Sequence, residues 1–359
     1  MNQQPTIAII GAGIFVKTQY IPRLSEISDL VSVKYIWSRS QESAEEAVGA
    51  AQKYFPQVEA KWGESGLDDI ILDTSVLGVA VVLAGQTQVD ISLKLLKAGK
   101  HVLQEKPAAV SVREAETALS CYNSICAKVP GQPIWAVAEN YRFEPAFVES
   151  KKLMAGLGDL MSIQVIVEGS MNSSNPYFSS TWRRNFNGGF VLDMGVHFIA
   201  GLRMLVGSEV DTVSATTSHV DRSLPPPDVI SSLFQLENGC SGVFVMVVSS
   251  KSPKIVWRLV GLNGTLQVER GNQEGKHGYL VSLSTVDGQT KNSFYPFSGV
   301  TEELKAFIHD ITHATLQKDS RYEAEPRSSF LEGARDIAVL EAMLESGMKQ
   351  GIPVKVQRV

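Results

Sequence analysis

Cysteine is scarce in this chain. There are three in 359 residues, Cys121, Cys126 and Cys240, an odd number with no C-x-x-C pair. That pattern excludes a disulfide framework and a cysteine-based zinc site, and no metal is expected; it fits a reducing compartment where thiols act as small apolar side chains. A basic excess is also missing: 33 Lys and Arg stand against 38 Asp and Glu, a net charge of −5. Duplex-binding surfaces ordinarily need such an excess, so no nucleic-acid partner is expected. Long apolar runs are lacking as well. The most apolar stretch, Val76 to Gly85, is half of the roughly 20 residues a membrane helix needs. The opening MNQQPTIAII has neither the basic region nor the long apolar region of a signal peptide, so a cytoplasmic protein with no membrane partner is expected.

What is present is a globular composition, 44% hydrophobic and 20% charged, able to bury a real core. At roughly 150 residues per domain the length suggests two domains. In the first third, short apolar runs alternate with amphipathic stretches. Strands are predicted at 6–10, 31–37, 75–83, 101–105 and 133–140, and helices at 15–27, 43–55, 89–99 and 112–123, with Gly99 placed as a C-terminal cap. Such alternation builds a doubly wound parallel sheet with right-handed crossovers. After a helix near 145–155 the pattern changes to strand-like segments. Several are joined by Asn238-Gly239, Asn263-Gly264 or Asp287-Gly288, which is hairpin chemistry. Helices return at 301–317 and 328–348. The predicted fold is α/β for residues 1–138 and α+β with a large, mostly antiparallel sheet for 139–359.

Gly11-Ala12-Gly13 directly follows the first strand and opens a helix. Gly11 permits a tight turn, and Gly13 lets the backbone approach a pyrophosphate seated on helix N–H groups. Ile14 and Phe15 follow in the same turn. Val16 stands where a third small residue is usual. The second strand ends in Trp37-Ser38-Arg39-Ser40, with no acid before Glu42. An acid at that tip suits the ribose of NAD, whereas a hydroxyl and an arginine suit the 2′-phosphate of NADP. Ser38 and Arg39 therefore favour NADP over NAD; the plainer alternative is that Arg39 is a solvated surface residue.

Two further clusters have plain readings when taken singly. Glu105-Lys106-Pro107 closes a strand at the edge where ligands bind in open α/β sheets, yet Lys106 alone could be a surface residue in a turn. Asp193 and His197 are four apart and share one helix face, yet alone they could be a cap and a core histidine. Gly188 and Gly189, just before them, allow close approach to something. Trp182 and Arg183, on a loop upstream, could stack on and hydrogen-bond a sugar or an acid, or could belong to a rim loop held by its own packing.

Together these segments resemble the Gfo/Idh/MocA oxidoreductase family over nearly the whole chain. GAGIFVKTQYIPRL resembles its cofactor turn, AGKHVLQEKP (98–107) its E-K-P signature, AENYRFEP (138–145) its N-x-R-F-x-P junction, and GGFVLDMGVHFIAGL (188–202) its G-G-x-x-x-D-x-G-x-H helix. The resemblance implies a Rossmann domain holding NAD(P) and a second domain that completes the site and forms a homodimer or higher homo-oligomer through its sheet. It implies hydride transfer with sugars, polyols or related small molecules. Lys106 would stand by the nicotinamide and the reacting hydroxyl, His197 would be the general acid/base, and Asp193 would orient it or bind a substrate hydroxyl. Leu83, Gln88 and Glu105 join the expected cofactor residues. Tyr141 and Arg142 are taken as structural, and Tyr177 is given no role. Gln88 replaces the histidine of the family's T-P-x-x-x-H segment, and Ala200 replaces an aspartate common three residues after the histidine. Alternatives are an NADP-sensing regulator and a glycosidase that oxidises its substrate transiently.

Overall fold

A computed structural model describes residues 4–129, 131–317 and 322–359, and in it the chain divides into two units. The first holds six parallel strands: β1 (Thr6–Ile10), β2 (Ser32–Ser38), β3 (Glu59–Trp62), β4 (Gly78–Val81), β5 (His101–Glu105) and β6 (Trp135–Ala138). Their order is β3-β2-β1-β4-β5-β6, the Rossmann order, which reverses between β1 and β4. β4, β5 and β6 are buried along their whole length and β1 nearly so. That is why they read as continuous apolar runs: a parallel sheet is covered on both faces. The connecting helices are α1 (Ile21–Ser25), α2 (Gln41–Ala51), α3 (Gly63–Leu72), α4 (Gly85–Lys97) and α5 (Val112–Cys126). Gly99 sits just past α4 with φ +80°, as its placement as a cap required. β3 and α3 had not been foreseen. β3 is a charged, four-residue edge strand (EAKW) with no fully buried position, so it has no apolar run to reveal it.

The first helix differs from the uniform one predicted at 15–27. After Ile14 and Phe15 it passes through an i→i+5 stretch, Val16–Tyr20, before α1, and the Ile21 N–H donates to Val16 O. Val16 is fully buried, and the widened turn begins at that bulky residue.

The expected boundary needs a correction. Residues Val300–Ala334 belong with the first unit, so the second is not continuous over 139–359. The reason lies in α9 (Gly299–Ile311). Leu304, Phe307, Ile308 and Ile311, spaced as one helical stripe, join the core that contains Ile7, Ile9 and Ala80. Gly78 makes room for this packing, since a Cβ there would lie 2.4 Å from Ile311 Cδ1. The amphipathic spacing announces a helix but not the core it enters.

The second unit comprises Asn140–Gly299 and Arg335–Val359. It contains α6 (Pro145–Met154), α7 (Thr181–Arg184), α8 (Gly189–Val206) and, from Arg335 onward, α10 (Phe330–Met348). Its nine strands are β7 (Leu160–Ser170), β8 (Val210–Ser218), β9 (Val229–Leu236), β10 (Ser241–Val247), β11 (Ser249–Gly261), β12 (Gly264–Gln273), β13 (Lys276–Thr285), β14 (Thr290–Pro296) and β15 (Val354–Lys355). The order is β14-β13-β12-β11-β7-β10-β9-β8-β15, antiparallel apart from the β7–β10 pair. The three Gly-containing turns join β9–β10, β11–β12 and β13–β14, as their sequences require. β14 and β15, at the two edges, lack buried residues and were not foreseen. α8 is long and apolar enough to cross a membrane, yet most of it is buried. It carries Arg203, which pairs with Asp336 at 2.7 Å and with Glu209 at 2.8 Å; Arg142 meets the same Asp336 at 2.5 Å.

Candidate active site

The turn after β1 separates two glycines that look alike in sequence. Gly11 has φ +128°, and a Cβ on it would lie 2.2 Å from Val82 O. Its N–H donates to Trp37 O at 2.8 Å. Gly11 is therefore required by the way the turn packs on its own unit. Gly13 is not. Its φ lies outside the left-handed region, and no atom lies within 4 Å of where its Cβ would stand. What glycine leaves there is exposed backbone at the start of a helix, with Ile14 exposed and Phe15 half-buried beside it. The first N–H groups of a helix have no partner within it, so this open cradle fits a pyrophosphate.

At the tip of β2, Ser38 is half-buried and Arg39 exposed. Among the described residues neither side chain has a hydrogen-bond or ion-pair partner. Ser40 caps α2, its Oγ accepting from the Ser43 N–H at 3.4 Å. The arginine thus stands at a helix start, and an anion bound there would gain from both.

Lys106 follows β5 at the carboxyl edge of the sheet and is half-buried. Three side chains fix its turn. Gln88 Nε2 donates to Pro107 O at 2.5 Å, Gln104 Nε2 donates to Ala108 O at 2.7 Å, and the Lys106 N–H donates to Glu105 Oε2 at 3.2 Å. The Lys106–Pro107 peptide is cis. Gln88 and Glu105, expected among the cofactor residues, are buried beneath this turn. Leu83 is half-buried between β4 and α4. Burial pushes the Glu105 carboxyl up to about 7, against the lowering effects of Lys106 and of the Tyr20 hydroxyl.

In the second unit, α8 places Asp193 and His197 one turn apart. Asp193 is buried and accepts from Arg183 Nε at 3.0 Å. Arg183, on the short helix α7 rather than a loop, lies over the rings of Trp182 (4.2 Å) and Tyr177 (4.5 Å), with Nη1 on Ser180 Oγ at 3.3 Å. Of the pair expected to face a substrate, Arg183 is thus the residue that pairs with Asp193, and Trp182 lies against its guanidinium. His197 is half-buried and stacked on Tyr141, centroids 4.9 Å apart and planes 19° from parallel. Gly188 and Gly189, read as allowing close approach, allow it to the chain itself. Cβ atoms there would meet Leu344 Cδ1 at 2.5 Å and Pro225 Cγ at 3.1 Å. Ala200 is fully buried in α8.

The comparisons with known proteins agree with this geometry. Residues 6–125 match the family described as "Oxidoreductase family, NAD-binding Rossmann fold", and residues 150–267 match the "GFO/IDH/MocA C-terminal domain". The chain is 31% identical to dehydrogenase FPY6 of Fusarium mangiferae over 96% of this chain and 97% of that protein. It belongs to the Gfo/Idh/MocA oxidoreductase family. The fold is shared with aldose-aldose oxidoreductase of Caulobacter crescentus, complexed with glycerol (TM-score 0.81, 21% identity, 98% of this chain and 100% of that one). It is shared too with levoglucosan dehydrogenase in complex with NADH (TM-score 0.79, 20% identity, 99% and 100%).

Two residues of these clusters, Tyr20 and Gln104, escaped the sequence reading; Tyr141 was read only as structural, and Tyr177 was given no role. Gln104 left a signal, a polar residue inside a fully buried strand. Tyr141 lay in the junction motif, but nothing in its spacing points to a histidine 56 positions away. Tyr20 and Tyr177 left none.

Proposed function

We propose that this protein is an NADP(H)-dependent oxidoreductase that moves a hydride between nicotinamide and a small hydroxyl or carbonyl compound, sugar- or polyol-like. The observation that carries the reading is the Lys106 turn. The backbone that carries this cationic side chain is held by three other side chains at the carboxyl edge of a Rossmann sheet, just past β5 and two strands from the open cradle at Gly13. The bound dinucleotide would supply the hydride acceptor or donor. Gly11, Gly13 and the N–H groups that follow would hold its pyrophosphate, and Ser38 and Arg39 its 2′-phosphate. The absence of an acid at the β2 tip before Glu42 supports NADP over NAD, because a carboxylate there would repel the phosphate.

Lys106 is assigned to hold the reacting oxygen and to relay its proton, and His197 to act as general acid/base. Asp193, charge-paired with Arg183, is assigned to keep a fixed negative charge on the α8 face that His197 shares. Trp182 would offer its ring to the substrate. The sugar-like class is supported by the names of the two fold neighbours. We also infer a homo-oligomer assembled through the open face of the nine-stranded sheet, where Met161, Leu233 and Leu280 are exposed.

Fluorescence titration with NADPH and NADH, followed by a panel of sugars and polyols, tests the reading. NADPH should bind more tightly, and Arg39→Ala should weaken NADPH by about tenfold or more while changing NADH little. Tighter binding of NADH refutes the NADP assignment.

A further inference from the structure

Tyr20 stands in the i→i+5 stretch that opens the first helix and is fully buried. Its hydroxyl donates to Glu105 Oε1 at 2.9 Å, while Glu105 Oε2 accepts the Lys106 N–H at 3.2 Å. One buried carboxyl therefore bridges the helix that follows Gly13 and the turn that carries Lys106. The charged groups facing it are Lys106 and Glu139, and Glu303 of α9 faces Tyr20. Glu139 and Glu303 are themselves buried. Packing alone does not call for this arrangement, since apolar residues of similar volume would fill the space without taking a carboxyl and a phenol out of water. The bridge has a use at a reacting lysine.

We propose that Tyr20 is a positioning residue whose hydroxyl holds the Glu105 carboxylate under Lys106, so that the charge beside the lysine is set from the dinucleotide-binding helix. The catalytic half of this proposal rests on the oxidoreductase reading; the bridge itself rests on the geometry. A phenol that donates to a carboxylate favours its ionised form. Without that donor Glu105 keeps its proton to higher pH, and Lys106 loses its negative neighbour over the neutral range.

The test is an infrared pH titration of the full chain without substrate or cofactor. The protonated-carboxyl stretch that vanishes in Glu105→Gln belongs to Glu105. In the wild type it should disappear with a midpoint near neutrality. Tyr20→Phe should raise that midpoint by about half a unit or more, and difluorotyrosine at position 20, a stronger donor, should lower it. Coincident midpoints in the three proteins overturn the bridge. In turnover assays Tyr20→Phe should shift the pH profile of kcat in the same direction and leave KM nearly unchanged. An infrared shift with an unmoved kcat profile overturns the catalytic half. Absence of turnover throughout the series, wild type included, counts against the oxidoreductase reading, while the infrared midpoints still decide the bridge.

Discussion

Replacing each glycine of the cofactor turn by alanine should separate folding from cofactor binding. At Gly13 the added methyl enters open space and the backbone conformation suits an L residue. Such a change raises stability by about 0.4–1 kcal/mol, because the unfolded chain loses freedom. The melting temperature of Gly13→Ala should therefore match or slightly exceed that of the wild type. The same methyl fills the cradle offered to the pyrophosphate, so NADPH affinity should fall at least tenfold, about 1.4 kcal/mol. Gly11→Ala should behave differently. It places a Cβ 2.2 Å from Val82 O at φ +128°. Backbone strain and overpacking, each about 1–3 kcal/mol, make a total loss of roughly 2–6 kcal/mol. Thermal melts and NADPH titration of both variants decide the matter. A Gly13→Ala protein that binds NADPH like the wild type shows that the cradle is not the pyrophosphate seat. One that melts well below it shows that the space is not open.

Lys106→Ala and His197→Ala should each cut kcat by about 10²–10⁴ with NADPH binding nearly intact, as for loss of a group that moves a proton; steady-state kinetics on a substrate from the sugar and polyol panel checks this, and unchanged turnover in both sinks the role assignment. His101 governs acid stability. Its Nδ1 accepts the Ile134 N–H at 3.0 Å and its Nε2 lies 2.7 Å from Thr315 Oγ1, and burial lowers its pKa from 6.5 to about 4. The unfolded state takes up the proton first, so the stability from this group is complete above pH 6.5 and is lost as the pH falls toward 4, a loss of up to about 3 kcal/mol. Glu105 works oppositely, since its raised pKa makes the fold relatively more stable as pH falls from about 7. Urea midpoints compared between wild type and His101→Gln at pH 7 and pH 4.5 isolate the histidine; equal differences at the two values contradict the reasoning.

The sequence made the parallel sheet legible because its inner strands are buried on both faces and flanked by amphipathic helices. The hairpins were legible because Asn-Gly and Asp-Gly are backbone requirements rather than packing preferences. What escaped was what packing hides. β3, β14 and β15 are edge strands without an apolar run. The stripe Leu304, Phe307, Ile308, Ile311 declares a helix, but which core receives it depends on a vacancy at Gly78 that no local pattern announces.

At the candidate site the motifs named Lys106, Asp193 and His197, but not the side chains that hold them. An Arg-Asp pair can be inferred from sequence only when helical spacing brings its members together. Arg183, on α7, and Asp193, on α8, are ten residues apart, separated by the Gly188-Gly189 corner. The corner explains the pairing. Positive φ at both glycines turns the chain sharply between α7 and α8, and so brings the guanidinium back onto the second turn of α8. Two consecutive left-handed residues are costly for anything but glycine. The glycines thus serve the site by shaping the chain that braces Asp193, in addition to making room for Leu344 and Pro225. Two glycines that in sequence only promise a close approach to something are, in the folded unit, the corner from which Arg183 reaches Asp193.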